Sequence, residues 1–160
     1  TLADWRTHLN TLFPEVRLKN TLEMRGADAQ SPALTYSLPA LWKGLPYDEQ
    51  ALQKAEALVS GWTATLLQSI REDIANQGPR AELLGRPIAV WALEMVEIAR
   101  DGLERANLQN ERGESEAVYL EGLLGLAREQ RCPGDILRSE LRDVTDTRDL
   151  HARVVHLTAI

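Results

Sequence analysis

The chain has 160 residues, 44% of them hydrophobic and 26% charged, which is the size and composition of one soluble globular domain. Its 18 lysines and arginines stand against 24 aspartates and glutamates, and the net charge of −6 excludes the broad basic field that drives binding to nucleic acid or anionic membranes. The single cysteine, Cys132, excludes an internal disulfide and suits a reducing cytoplasm, and no apolar run approaches the roughly 20 residues that cross a bilayer.

Residues 15–25 alternate between polar and apolar side chains with a period of two. The polar positions hold Glu15, Arg17, Lys19, Thr21, Glu23 and Arg25, and the apolar positions hold Val16, Leu18, Leu22 and Met24. This period predicts a β-strand, or two short strands interrupted near Asn20, because successive side chains of a strand point to opposite faces. Gly26 ends the pattern, and residues 26–32 are predicted to form a loop.

From Asp48 onward the apolar pattern takes the period of an α-helix. Asp48 is the predicted N-cap of a helix that closes at Ser60-Gly61. Further helices are predicted over 63–76, from Pro87 to about Asn107, over Ser115–Gln130, and after Asp135. The longest has a predicted buried face of Ile88, Trp91, Ala92, Met95, Ala99, Leu103 and Ala106. The tail 146–160 has no clear period and stays unassigned.

These elements predict an α+β fold that is mainly α-helical, with a short antiparallel strand segment packed on about five helices. Residues 1–160 are predicted to form a single unit, because no linker or internal repeat interrupts them. Within it we distinguish a strand segment in 1–30, a helical part in 38–142 and a tail in 143–160.

The polar face of the strand segment has two interpretations. It resembles the solvated side of an edge strand, where mixed charges prevent aggregation. Alternatively, it lines a site for phosphate and metal. Side chains two residues apart on a strand lie about 6.6–7 Å apart on one face, which would place Glu23 and Arg25 side by side. A carboxylate can hold Mg²⁺ while an arginine binds phosphate oxygens, and phosphoryl transfer needs both kinds of charge neutralisation.

Four segments of the chain resemble the plant and proteobacterial type of glutamate–cysteine ligase. The most specific is "DWRTHLNTLFPEVRLKNTLEMRGADAQ" at 4–30, followed by "LPALWKGLPYDEQAL" at 38–52 and "EMVEIARDGLERANL" at 94–108. The resemblance continues more loosely over 118–141, whereas the tail beyond Asp143 departs from the family.

The resemblance implies a ligase that uses ATP and Mg²⁺ to join the γ-carboxyl of glutamate to the amine of cysteine through a γ-glutamyl phosphate, the first step of glutathione biosynthesis. Its catalytic fold is related to that of glutamine synthetase. On this basis Glu23 is a magnesium ligand and Arg25 contacts the transferred phosphoryl group, while Arg17 and Lys19 lie near the nucleotide phosphates or the substrate carboxylate. The charged face is then turned toward a catalytic cavity, and the apolar face packs against helices.

The candidate face offers Glu23 and, less plausibly, Glu15, which are too few carboxylates for the complete site. The family's enzymes are longer, and this chain opens at Thr1 without a methionine. We therefore expect the C-terminal portion of the catalytic domain, inactive by itself, located in the cytoplasm and completed by the rest of the ligase chain. Two alternatives stay open: a related carboxylate–amine ligase that uses another amine, and a non-catalytic helical interaction module.

Overall fold

The computed structural model describes residues 1–12, 14–18 and 20–158. The α-helices of these residues are α1 Leu2–Thr11, α2 Pro32–Gly44, α3 Glu49–Val59, α4 Ala64–Ser69, α5 Arg71–Gln77, α6 Ile88–Ala106, α7 Glu121–Arg128, α8 Pro133–Glu140 and α9 Thr147–Thr158. The strands are β1 Val16–Leu18, β2 Leu22–Met24, β3 Glu82–Leu83 and β4 Arg86–Pro87, and 3₁₀ helices cover Gly78–Arg80 and Glu116–Leu120. The predicted α+β, mainly helical fold is confirmed.

Side-chain caps fix where several helices begin and end. Thr1 and Asp4 form a capping box at the start of α1. The Asp48 carboxylate accepts a hydrogen bond of 2.7 Å from the backbone N–H of Ala51, which confirms the predicted N-cap of α3. Asn107 ends α6 in the left-handed conformation that commonly terminates a helix.

Helix α6 is the centre of the core and packs against α2, α3, α7 and the 3₁₀ helix at 116–120. The largest fully buried side chains around it are leucines 83, 103, 120 and 124. The hydroxyl of the fully buried Ser37 donates a hydrogen bond of 2.6 Å to the carbonyl oxygen of Tyr119, which fastens α2 to this core.

The backbones of α2 and α6 touch where two glycines meet. A Cβ atom added to Gly102 would lie 2.1 Å from the carbonyl oxygen of Gly44. One added to Gly44 would lie 2.2 Å from the carbonyl oxygen of Ala99. Both distances are far inside van der Waals contact, so this crossing requires residues without a side chain.

Two antiparallel hairpins accompany the helices. Strands β1 and β2 form one of them, which is the second of the two predicted arrangements, two short strands interrupted near Asn20. Strands β3 and β4 form the other, across a turn in which Leu84 and Gly85 both have positive φ, as a tight two-residue hairpin requires. No helix in the described part of the chain is both long and apolar enough to cross a lipid bilayer.

The helical part differs from the prediction in its subdivision. The predicted helix over 63–76 is two helices, because the backbone turns at Ile70 between α4 and α5. The predicted helix over 115–130 begins as a 3₁₀ helix and becomes α-helical at Glu121. The tail left unassigned forms α9, and α1 and α2 were not predicted. The described residues therefore contain nine α-helices, where about five were expected.

The buried face of α6 is rotated from the predicted one. Ala92 and Ala106, predicted to be buried, are exposed, whereas Ala99 and Leu103 are buried as predicted. The remaining buried residues of the helix are Ala89, Val96 and Gly102. The rotation follows from the glycine crossing, which brings the Gly102 side of the helix against α2.

Candidate functional site

The hairpin of β1 and β2 brings three of the four predicted site residues together. Its antiparallel register places Arg17 directly opposite Glu23, with Val16 opposite Met24. A backbone hydrogen bond of 2.8 Å from the N–H of Arg25 to the carbonyl oxygen of Glu15 extends the pairing by one step. Lys19, the fourth predicted residue, lies outside the described residues.

The carboxylate of Glu23 lies between two guanidinium groups. Arg17 donates to Oε2 from Nε at 2.8 Å, and its Nη2 is 2.6 Å from the same oxygen. Arg25 is more distant, with Nε 3.7 Å from Oε1. Among the described residues, Arg17 therefore holds one carboxylate oxygen closely, and Arg25 forms a longer ion pair with the other.

The polar face of the hairpin is shielded from water more than a solvated surface would be. The side chains of Arg17 and Arg25 are 23% and 18% exposed, and that of Glu23 is 44% exposed. Nη1 of Arg25 also reaches the carbonyl oxygen of Leu12 at 3.5 Å, just beyond the end of α1. The Glu15 carboxylate lies against Gly26, since a Cβ there would be 2.6 Å from its Oε2.

The predicted packing of the apolar hairpin face against helices is wrong. Val16, Leu18 and Leu22 are 49%, 79% and 57% exposed, and only Met24 is partly buried. These exposed fractions show that no helix among the described residues covers Val16, Leu18 or Leu22. Within the described residues the hairpin is thus more exposed on its apolar side than at its arginines.

Two of the cavities formed by the described residues lie among the helices, and the hairpin lines neither. One, of about 390 Å³, lies between α5, α6, α7 and the segment around Cys132. The other, of about 490 Å³, lies between residues 29–34, α8 and the end of α9. Neither of these two cavities is therefore the catalytic cavity that was predicted to face Glu23 and Arg25.

The hairpin carboxylate fits Mg²⁺ as one ligand of a larger set. Mg²⁺ takes six oxygen ligands and commonly binds one or two carboxylates together with phosphates and waters. Oε1 of Glu23 is the oxygen that could serve. The described residues contain no group of three or more His, Cys, Asp or Glu side chains that could hold a metal ion, so any further protein ligands would have to lie outside them.

A second ionic cluster, which the sequence analysis did not predict, joins Arg80 to the start of α8. Arg80 donates to both oxygens of the Asp135 carboxylate, at 3.1 and 3.3 Å. The backbone N–H and the thiol of Cys132 donate to the same group. The Arg80 guanidinium and then these hydrogen bonds hold the pKa of Asp135 well below its usual range. The cluster caps the start of α8, and its signal in the sequence is the three-residue spacing from Cys132 to Asp135.

Comparison with known proteins identifies the family. A family model described as glutamate–cysteine ligase family 2 (GCS2) matches residues 1–156. The chain belongs to glutamate–cysteine ligase family 2. The resemblance drawn from the hairpin segment and the helices is therefore confirmed, and the Arg17–Glu23–Arg25 arrangement lies inside the region matched to this family.

The similar members of glutamate–cysteine ligase family 2 include plant proteins. The chloroplastic glutamate–cysteine ligase of Medicago truncatula is 37% identical over 137 residues, which cover 86% of this chain and 26% of that protein. The chloroplastic enzyme of Arabidopsis thaliana is 37% identical over 84% of this chain and 24% of its own length. That of Solanum lycopersicum is 41% identical over 66% and 20%. The chain thus spans about a quarter of the length of the curated relatives it matches.

Proposed function

We propose that this chain is the C-terminal portion of an ATP- and Mg²⁺-dependent ligase that joins the γ-carboxyl of glutamate to the amine of cysteine. The observation that carries the proposal is the ionic arrangement of the hairpin within a chain matched to the family over residues 1–156. The printed names of the plant relatives, glutamate–cysteine ligases, support the same reaction.

The reaction needs an activated carboxyl group because oxide is a poor leaving group. An oxygen of the glutamate γ-carboxylate attacks the γ-phosphorus of ATP, the bond from that phosphorus to the β,γ-bridging oxygen breaks, and ADP leaves. The cysteine amine then attacks the carbonyl carbon of the γ-glutamyl phosphate. The bond from this carbon to the phosphate oxygen breaks, phosphate leaves, and the amine nitrogen loses a proton.

On this proposal, the hairpin side chains have different electrostatic roles in phosphoryl transfer. By the family resemblance, Arg25 binds the oxygens of the transferred phosphoryl group, as an arginine beside a carboxylate can. On this proposal Arg17, which contacts Oε2 of Glu23 at 2.6 to 2.8 Å, orients the carboxylate, and Oε1 is the oxygen that would bind the metal. By the family resemblance, Arg17 and Lys19 also add positive charge near the nucleotide phosphates. Bound Mg²⁺ supplies neutralisation of phosphate charge.

The remaining groups of the site belong to the rest of a ligase chain. Glu23 is one carboxylate, and the described residues bring no cluster of metal ligands around it. The glutamate and cysteine sites and the other metal ligands are therefore supplied by the three quarters of a family-length chain that this sequence does not match. The 160-residue chain by itself should form no γ-glutamylcysteine.

The decisive test replaces Glu23 in a full-length ligase that carries these residues. Glu23→Ala should lower γ-glutamylcysteine formation by about a hundredfold or more, which is the order of effect of removing one charged group from a reacting centre. Glu72→Ala, which removes an exposed carboxylate from α5, is the matched control and should retain full turnover. Equal turnover in Glu23→Ala and Glu72→Ala would contradict the proposal and favour the helical interaction module.

The proposal also includes cysteine as the amine substrate and the cytoplasm as the cellular compartment. Phosphate release that depends on another amine, measured with cysteine absent, would favour the related carboxylate–amine ligase. The plant relatives are named as chloroplastic, so the cytoplasm stays a prediction for this chain. Localisation of a tagged full-length protein would decide it.

A further inference from the structure

Helix α1 carries a row of large apolar side chains that are exposed. Leu2, Trp5 and Leu9 are 67%, 56% and 44% exposed, and Leu12, which caps the helix, is 48% exposed. Their spacing of three, four and three residues places all four on one helical face. No residue of α1 is buried. A stripe of this spacing ordinarily packs against a second element of structure.

The hairpin repeats this situation on a strand surface. Val16, Leu18 and Leu22 form its apolar face and are about half exposed or more. In the described residues the sheet has two strands only, so each strand also has an unpaired outer edge. A two-stranded hairpin in water is marginally stable, and a covered face or a third strand is what ordinarily stabilises it.

We infer that the α1 stripe and the apolar hairpin face together are a docking surface for the remainder of a ligase chain of this family. The inference rests on the proposed function and names the surface, on the face of the hairpin opposite Glu23, through which the remainder of the chain is held. We call these residues the docking surface: Leu2, Trp5, Leu9, Leu12, Val16, Leu18 and Leu22.

The length of the relatives favours this occupant over a second copy of the chain. The family match includes α1 and the hairpin, whereas the matched segment is 26% of the Medicago truncatula protein. A family chain therefore contains a large remainder besides this segment. The opposite face of the same hairpin holds Glu23, whose missing partner ligands must also come from outside the described residues. One folded region that packs on both faces of the hairpin would cover the apolar side chains and supply the further ligands beside Glu23.

Hydrogen exchange in two proteins tests the inference. The first is the 160-residue chain, and the second is the full-length Medicago truncatula relative with its matching segment replaced by residues 1–156. We expect the backbone amides of 16–18 and 22–24 to exchange at least about tenfold more slowly in the full-length protein, because docking must open before exchange occurs. Leu18→Lys/Leu22→Lys should abolish that protection and leave exchange in the 160-residue chain unchanged.

A matched control and a milder variant keep the test falsifiable. Val155→Lys replaces an equally exposed apolar side chain on α9, outside the docking surface, and should retain the protection. Should the double lysine variant fail to fold, Leu18→Thr/Leu22→Thr keeps strand propensity and should lower the protection about tenfold. Equal exchange in the two proteins, or protection that survives both double variants, would overturn the inference. A dimer of the 160-residue chain that Leu18→Lys/Leu22→Lys dissociates would overturn it in favour of a second copy.

Turnover of the same full-length protein separates this inference from the proposed function. An active enzyme whose hairpin exchanges as fast as in the 160-residue chain would overturn the docking surface and leave the function standing. A protected hairpin in an enzyme that keeps full activity after Glu23→Ala would support the docking surface and contradict the function.

Discussion

Two regions of the molecule differ in how far their leucine side chains are buried. One is the helical body around α6, and the other is the N-terminal region formed by α1 and the hairpin. Leu103 and Leu124 in the body are fully buried, whereas Leu18 and Leu22 in the hairpin are mostly exposed. Both regions have regular backbone hydrogen bonds and clear amphipathic patterns. They differ in that the body buries a cluster of apolar side chains among its helices, whereas no residue of α1, β1 or β2 is buried.

This difference distinguishes the region whose own packing stabilises it from the region whose apolar side chains remain exposed to solvent. Burial of apolar surface stabilises the body in the absence of any other protein. The N-terminal region contributes little burial, yet it holds every residue that the family resemblance assigns to catalysis. The N-terminal region therefore gains little stability from its own packing, and the proposed function requires contacts that the body does not provide.

The largest contrast is expected from truncating one leucine in each region. Leu103→Ala should lower the free energy of unfolding of the 160-residue chain by about 2–5 kcal/mol, because it removes buried methyl groups and leaves a cavity. Leu18→Ala should change it by less than about 0.5 kcal/mol, because its side chain is already in water. Urea unfolding of the two variants measures both values. Similar losses would show that the regions do not differ as described.

The glycine crossing should be nearly as sensitive as the leucine core. Gly102→Ala should destabilise the chain by about 1–3 kcal/mol, because the added Cβ meets the Gly44 carbonyl and the helices must separate. Gly125→Ala is the matched control in α7, where a Cβ meets no atom within 4 Å. It should be stabilising by about 0.5–1 kcal/mol through helix propensity. Thermal unfolding of both variants checks the opposite signs.

Acid should weaken the contact between α3 and α6. Arg105 donates to both oxygens of Asp48, and these bonds, with the Ala51 N–H, lower the pKa of Asp48 from 3.8 to about 2. Because the unfolded chain binds the proton more readily, this contribution is complete above about pH 4 and is lost as the pH falls to about 2. Asp48→Asn keeps the cap but should show a shallower loss of stability over that range in acid titration. An unchanged slope would contradict the assignment.

The smallest effect is expected for the ion pair of the hairpin. A double-mutant cycle of Arg17→Ala and Glu23→Ala in the 160-residue chain should give a coupling energy of about 0.2–1 kcal/mol, as for other partly exposed pairs. In the full-length ligase the same cycle on turnover should give a larger value, because water is excluded there. Equal couplings in the two proteins would indicate that nothing further covers the polar face.

Local patterns predicted much of this structure. The alternation around Asn20 predicted one strand or two short strands there, and the two strands formed. Asp48 and the span from Pro87 to Asn107 predicted the start of α3 and the extent of α6. These elements have strong signals because their residues interact with near neighbours in the chain. The 3-4-3 stripe and capping box of α1 were also present in the sequence, although they were not interpreted as a helix.

Other features depend on contacts that sequence patterns do not contain. The face of α6 is set by Gly102 against Gly44, a close approach of residues that carry no apolar side chain. The turn at Ile70 has neither a glycine nor a proline to indicate it. The pairing of Arg17 with Glu23 depends on the length of the hairpin turn, and the described residues bring no cluster of further metal ligands around Glu23.

The attachment of α2 limits where the molecule can bend. Near its middle the Ser37 hydroxyl is bonded to the Tyr119 carbonyl, and at its end the backbone rests on α6 at Gly44. No rotamer change can alter the second contact, because only main-chain atoms form it. The helix is thus fastened at two points, and its first turn keeps a fixed orientation. Any reorientation of the hairpin must arise from backbone rotations in the connecting segment 26–31, which begins at Gly26.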